Sequence, residues 1–87
     1  MKIIFITASW CPSCLLMRAR LGKLLEGATG IEVEEVDIDE NGATADAYAP
    51  GKILPVTIFI AKDGRQQRLI GETSVNNLAR ALRESTI

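Results

Sequence analysis

The sequence contains no histidine, and only two of its 87 residues are cysteine. Because a closed zinc site needs four nitrogen or sulfur ligands, these cysteines could bind zinc only together with carboxylates or a partner chain. The charge is nearly balanced, with 10 basic and 11 acidic residues, which argues against nucleic acid or an anionic membrane as a partner. The apolar run at residues 3–6 is too short for a signal-peptide core or a membrane span. We therefore expect a cytoplasmic protein.

The chain also lacks the features that usually separate domains. It has no internal repeat, no linker and no low-complexity tract. Aromatic residues are few, at 5%, but hydrophobic residues make up 47% of the sequence, which is ordinary for a chain that buries a core. We predict one globular domain over residues 1–87 and expect it to be a monomer.

The two cysteines, Cys11 and Cys14, lie in the segment SWCPSC at residues 9–14. A structural disulfide is disfavoured because the cytosol is reducing and because closing so short a loop restricts the unfolded chain little. Two unreactive core cysteines would need neither Pro12 between them nor the start of a helix. These features favour thiol–disulfide chemistry, with the zinc and core interpretations still open.

The cysteines lie where a strand is expected to end and a helix to begin. Residues 2–7 are β-branched and aromatic enough for a buried strand, and apolar residues after Pro12 recur at intervals of three and four. Pro12 suits the first helical position, which leaves Cys11 near the N-cap among unpaired backbone N–H groups. This position should expose Cys11 and favour its thiolate, the attacking form. Cys14, one turn into the helix, can then close the disulfide.

The rest of the chain predicts alternating strands and helices in the order βαβαββα. A strand at 31–38 should pair in parallel with the first strand, but its apolar positions change phase, which indicates a bulge or a change of exposed face. Residues 41–49 suggest a short helix or turns. Strands at 56–60 and 66–70 flank a hairpin turn. A closing helix follows Ser74, which suits an N-cap, and its predicted apolar face is Val75, Leu78, Ala79 and Leu82.

Four segments together resemble the thioredoxin/glutaredoxin superfamily across essentially the whole chain. They are ASWCPSC after the first strand, VDIDEN at the end of the second, LPVTIFI at the start of the third, and KDGRQQRLIGE as a hairpin ending in glycine. The resemblance implies an α/β thioredoxin-like fold, with a four-stranded mixed sheet in the order 2-1-3-4 flanked by helices. The order of elements is closer to glutaredoxins, whereas Trp10 and the Lys-Asp-Gly turn are closer to thioredoxins.

The resemblance also implies a substrate groove beside the cysteines. Pro55 should follow a cis peptide bond, and Leu54 before it should offer its backbone N–H and C=O to an extended substrate segment. Gly71 would lie at the far wall of the groove, with Trp10 as its exposed aromatic residue, and Pro12 would also bind the substrate. Without the resemblance, Pro55 and Gly71 could be ordinary strand-end residues and Trp10 a core residue.

Two positions depart from the thioredoxin pattern. Thioredoxins usually carry a buried aspartate where this chain has Phe5, and a lysine opposite it where this chain has Glu35. In the family that aspartate assists proton movement at the second cysteine. One hypothesis is that Glu35 supplies a carboxylate near Cys14 and acts as the base instead. The alternative is that Glu35 is a solvated surface residue in a run of three.

The electron donor is the other open question. Glutaredoxins that use glutathione tend to have a basic residue before the cysteine motif, Thr-Val-Pro in place of Ile53-Leu54-Pro55, and a glycine pair followed by an acidic residue at the last helix. Because this chain matches these features poorly, we expect a thioredoxin-reductase-type flavoprotein as donor. The Pro12-Ser13 dipeptide is closer to glutaredoxins and keeps glutathione as the alternative.

The leading prediction is therefore an enzyme that reduces protein disulfides and needs no cofactor and no metal. Cys11 attacks the substrate disulfide, and Cys14 resolves the mixed disulfide that forms. Two other classes stay open. One is a module that binds a partner or, with a second subunit, a metal or iron–sulfur cluster. The other is a redox sensor whose disulfide changes a surface without turnover.

Overall fold

The computed structural model describes residues 1–48 and 51–86. Its elements follow the predicted order, and the alanine-rich segment forms a six-residue helix whose predicted last residue, Ala49, lies outside the described residues. The elements are β1 (Lys2–Thr7), α1 (Pro12–Leu24), β2 (Glu32–Asp37), α2 (Gly42–Ala47), β3 (Val56–Ile60), β4 (Gln66–Ile70) and α3 (Val75–Thr86).

The four strands form one sheet in the order β2-β1-β3-β4, which confirms the predicted topology. β1 pairs in parallel with β2 and antiparallel with β3, and β3 pairs antiparallel with β4. All six residues of β1 pair with successive residues of β2, so the phase change in β2 is not a bulge. It is a change of face: Val36 is buried on one side of the sheet, whereas Val33 on the other side is 45% exposed.

Two apolar clusters cover opposite faces of the sheet. On the first face, α1 and α3 pack against the strands in a cluster that consists of Met17 and Leu21 from α1, Leu78 and Ala81 from α3, and Ile3, Phe5 and Phe59 from the strands. On the second face, α2 contributes to a cluster of Ile4, Ile6, Val36, Ala45, Val56 and Ile58. Because both faces are covered, successive residues of β1 are buried without polar alternation. The carboxyl end of β1, where the cysteine segment begins, is therefore buried.

α3 begins where it was predicted but buries a different set of residues. Ser74 caps α3, since its Oγ accepts a hydrogen bond from the backbone N–H of Asn77 at 3.2 Å. The buried stripe of α3 begins one turn later than predicted, at Leu78, and includes Ala81, whereas Val75 in the first turn is exposed. No helix in the described part of the chain has both the length and the apolar character needed to cross a bilayer.

Candidate active site

The cysteine segment forms the start of α1. Cys11 is the N-cap and Pro12 is the first helical residue, as predicted. The Cys11 Sγ accepts a hydrogen bond from the backbone N–H of Cys14 at 3.3 Å, and the backbone N–H of Cys11 donates to the carbonyl of Ala8 at 3.2 Å. Both cysteines are free thiols. The sulfur of Cys11 thus lies where backbone donors at a helix start can stabilise negative charge.

The two sulfurs differ in their surroundings. Cys14 is 1% exposed and Cys11 is 8% exposed, and both pack with Ala8 in a small cluster that Ile38 and Leu54 cover. The prediction that the helix start exposes Cys11 is therefore wrong, because residues distant in sequence close over it. Burial, followed by the hydrogen bond with Cys11, raises the pKa of the Cys14 thiol to about 11. At neutral pH Cys14 therefore keeps its proton.

The segment before β3 lies beside the cysteines. The Leu54–Pro55 peptide bond is cis, as predicted, and Leu54 packs against the cysteine cluster. The carbonyl of Pro55 accepts a hydrogen bond from the backbone N–H of Gly71 at 2.8 Å. Gly71 has a φ of +80°, and a Cβ added there would lie 3.3 Å from Cγ2 of Ile53. The structure thus brings Leu54, Pro55 and Gly71 together, with Ile53 in close contact.

Trp10 lies on the outer side of the site. It is 64% exposed, so it is not a core residue. Its indole Nε1 donates a hydrogen bond to Oδ2 of Asp39 at 3.0 Å. Asp39 belongs to the turn after β2, in which Oδ1 of Asp37 accepts hydrogen bonds from the backbone N–H groups of Asp39 and Glu40. Asp39 is a residue that the sequence analysis missed as a partner, although it lies within the VDIDEN segment.

Glu35 lies opposite Phe5 in the register of β1 and β2, and Phe5 is buried in the main core. The Glu35 carboxylate accepts two hydrogen bonds from Arg18, at 2.8 Å from Nε and 2.7 Å from Nη2. Both side chains are partly exposed. This ion pair favours the interpretation of Glu35 as a surface residue, and its role in proton transfer stays a prediction. Sequence analysis missed Arg18, whose only signal is its position four residues after Cys14.

The predicted site residues meet at one end of the sheet, where β1 ends and β3 begins. Cys11, Cys14 and Leu54 share one cluster, and a backbone hydrogen bond joins Pro55 to Gly71. Within residues 1–48 and 51–86, the structure groups no three side chains of the cysteine, aspartate and glutamate types in a way that could hold a metal ion. The chemistry that this arrangement offers is that of the two thiols.

Comparisons with known proteins agree with this geometry. A family model described as Thioredoxin matches residues 1–84. A thioredoxin from Staphylococcus epidermidis is 30% identical over 83 residues, which cover 93% of this chain and 78% of that protein. A thioredoxin from Arabidopsis thaliana is 26% identical over 69 residues, which cover 79% of this chain but only 58% of the relative. A mutant thioredoxin from Halobacterium salinarum superposes with a TM-score of 0.84 at 28% identity, covering 99% of this chain and 74% of that one.

Proposed function

The chain belongs to the thioredoxin family, whose general activity is thiol–disulfide exchange, and on this premise we propose that it reduces disulfides in other proteins through Cys11 and Cys14. The observation that carries the proposal is the difference between the two sulfurs. Cys11 Sγ accepts a backbone hydrogen bond at the start of α1, whereas burial raises the pKa of Cys14 to about 11. This difference supports Cys11 as the attacking sulfur and Cys14 as the resolving sulfur.

The proposed reaction has two exchange steps. The Cys11 thiolate attacks one sulfur of the substrate disulfide, a new S–S bond forms, and the other substrate sulfur leaves as a thiolate. Cys14 then loses its proton and attacks Cys11 Sγ, which releases the second substrate sulfur. The substrate gains two electrons and two protons, and the protein is left with a Cys11–Cys14 disulfide.

In this proposal an extended segment of the substrate lies along the residues beside the cysteines. Leu54 supplies the backbone groups, in the manner of strand addition. Trp10 and Ile53, which are 64% and 60% exposed, offer apolar surface to that segment. The absence of a side chain at Gly71 supports this arrangement, because a Cβ there would already crowd Ile53 in the free protein.

The proposed donor that reduces the Cys11–Cys14 disulfide is a thioredoxin-reductase-type flavoprotein. The match to the thioredoxin family over residues 1–84 supports this donor, and so does the poor fit of Ile53-Leu54-Pro55 to the glutathione-binding pattern described above. Glutathione is the alternative donor. The Pro12-Ser13 dipeptide is the observation that favours it.

The test is NADPH-driven reduction of a model protein disulfide, with thioredoxin reductase in one assay and with glutathione plus glutathione reductase in a parallel assay. We expect turnover with the first system, none with Cys11→Ser, and accumulation of a mixed disulfide at Cys11 with Cys14→Ser. Turnover with glutathione alone would replace the proposed donor. Turnover with neither system, by a protein that folds and can be oxidised, would overturn the proposed reductase and favour a sensor or a binding module.

A further inference from the structure

Resolution of the mixed disulfide requires Cys14 to lose a proton in surroundings that oppose its charge. Cys14 is buried, and the strands under α1 present neutral side chains on that face of the sheet: Phe5 and Thr7 from β1, and Thr57 from β3. Neither strand offers a carboxylate there. Another group must therefore favour the thiolate if Cys14 is to act at neutral pH.

The charged groups on this face come from α1, β2 and α3, and those of α3 are Arg80, Arg83 and Glu84, all exposed. β2 presents Glu35 and Asp37, and Oδ1 of Asp37 is bound to the turn that follows the strand. α1 contributes Arg18 and Arg20. Nη1 of Arg20 lies 3.9 Å from Oε2 of Glu72 and donates a hydrogen bond to the carbonyl of Thr73, so this side chain points away from β2.

Burial is the main cause that raises the pKa of Cys14, and a backbone hydrogen bond from Ala8 lowers it. The positive charge of Arg18 also lowers the pKa of Cys14, by a smaller amount, and among the described residues it is the only charged side chain that does so. The sulfur of Cys11 is the other ionisable group that acts on Cys14, and both its hydrogen bond and its charge raise the pKa of Cys14.

The geometry of α1 explains this effect. Arg18 follows Cys14 by four residues, so the two lie one turn apart on the same face of the helix. Long side chains in a helix extend towards its N-terminus, which carries the guanidinium of Arg18 back towards the turn of Cys14. Glu35 accepts hydrogen bonds from Nε and Nη2 of Arg18, and this two-point contact fixes the orientation of the guanidinium.

We propose that Arg18, held in place by Glu35, favours the thiolate of Cys14 during resolution of the mixed disulfide. Glu35 is then a positioning residue that acts through Arg18, and it is not the base. As the S–H bond of Cys14 breaks, its proton passes through solvent to the departing substrate sulfur, while the Cys11–Cys14 bond forms and the bond from Cys11 to the substrate breaks. The inference rests on the proposed function, in which Cys14 is the resolving residue.

The test begins with titration of the Cys14 thiolate by its ultraviolet absorbance in a Cys11→Ser background, which needs neither substrate nor reductase. Arg18→Gln should move the midpoint to higher pH, Arg18→Lys should restore part of the shift, and Glu35→Gln should fall between wild type and Arg18→Gln. The matched control is Lys23→Gln, which removes the same charge from an exposed position at the other end of α1 and should leave the midpoint unchanged. The differences should shrink as salt is added, because the charges are partly exposed.

The second measurement is the rate at which the mixed disulfide breaks down in single turnover, with both cysteines present. Arg18→Gln should slow this step roughly two- to fivefold at neutral pH, and the deficit should disappear at alkaline pH. Circular dichroism and thermal melting establish that each variant is folded. An unchanged Cys14 midpoint in folded Arg18→Gln, or an equal shift in Lys23→Gln, would overturn the inference. If the midpoint shifts but wild type turns over with neither donor, the proposed function fails and this role for Arg18 fails with it, although the electrostatic coupling stands.

Discussion

The residues around the two sulfurs fall into two groups with different properties. On the groove side, which consists of Trp10, Ile53 and Gly71, the side chains of Trp10 and Ile53 expose apolar surface and Gly71 is buried. On the sheet side, Cys14 lies in the first turn of α1 and is buried together with Ala8, the residue that follows β1. Although the two cysteines are only three positions apart, their thiols therefore have different surroundings. The helix start gives one sulfur a backbone donor, while the core beneath the first turn keeps the other protonated.

The largest expected effect concerns Cys14 on the sheet side, through which the stability of the whole protein should depend on pH. The pKa of Cys14 is raised from 9.0 to about 11, so the folded protein holds a proton that the unfolded chain has lost between these values. Stability that Cys14 contributes is therefore fully present below pH 9 and is lost as the pH rises towards 11. We expect the free energy of unfolding of the reduced protein to fall by about 2 kcal/mol across this window.

Denaturant unfolding of wild type and Cys14→Ala at a series of pH values measures this contribution of Cys14 to the free energy of unfolding. The difference in unfolding free energy between the two proteins should shrink as the pH rises through the window, because only wild type carries the thiol. A difference that stays constant with pH would mean that burial does not separate the two sulfurs, and the comparison would fail at its main point.

The next effect concerns the groove side and uses two glycines with similar backbone. Gly71 has a φ of +80° and Gly64, in the hairpin turn, has a φ of +93°, but only at Gly71 would a Cβ meet another residue, Ile53. Both substitutions to alanine should cost roughly 1 to 2 kcal/mol of stability through backbone strain. Only Gly71→Ala should also raise the KM for a protein disulfide, because its Cβ would press on Ile53 of the groove side.

Chemical denaturation measures the loss of stability in both variants, and steady-state kinetics measure the change in KM. Adding Ile53→Ala to Gly71→Ala should recover part of the stability lost through the contact at 3.3 Å, while the strain from φ remains. If KM rose equally in Gly64→Ala, the rise would be a general effect of lower stability, and Gly71 would have no specific role in substrate binding.

Sequence patterns predicted the elements that depend on neighbouring residues. β3 and β4 have the predicted bounds, and Pro12 marks the start of α1, because alternation and turn residues act over short spans. The cis bond at Pro55 required the family resemblance, since local sequence does not distinguish it from an ordinary strand-start proline. The cytoplasmic location and the monomeric state were inferred from composition and motifs and stay predictions.

Contacts between distant residues could not be predicted in this way. Trp10 and Asp39 are 29 residues apart, and Arg18 and Glu35 are 17 apart, so neither pair leaves a periodic pattern in the sequence. The cover over Cys11 has the same origin, because it comes from segments that follow β2 and precede β3. Packing between separate helices, strands and loops determines these features, and local propensity carries no information about it.

The smallest effect that sharpens the comparison is at Trp10, the one tryptophan in the chain. Asp39→Ala removes the acceptor of its indole hydrogen bond but leaves the ring exposed, so stability should fall by only about 0.5 to 1 kcal/mol. The indole should reorient more freely, which lowers its fluorescence anisotropy, and the KM for a protein disulfide should rise modestly. Glu40→Ala is the matched control, since the adjacent carboxylate lies in the same turn.

Two results would argue against this account of the groove side. If Asp39→Ala changed the pH dependence of the Cys14 titration, the two sides of the site would be coupled through the turn after β2, and they could not be treated as separate. If Glu40→Ala lowered the anisotropy as much as Asp39→Ala did, the orientation of Trp10 would depend on the fold of the turn as a whole. Because the Nε1 to Oδ2 contact is the one that reaches across 29 residues, we expect only Asp39→Ala to release the ring.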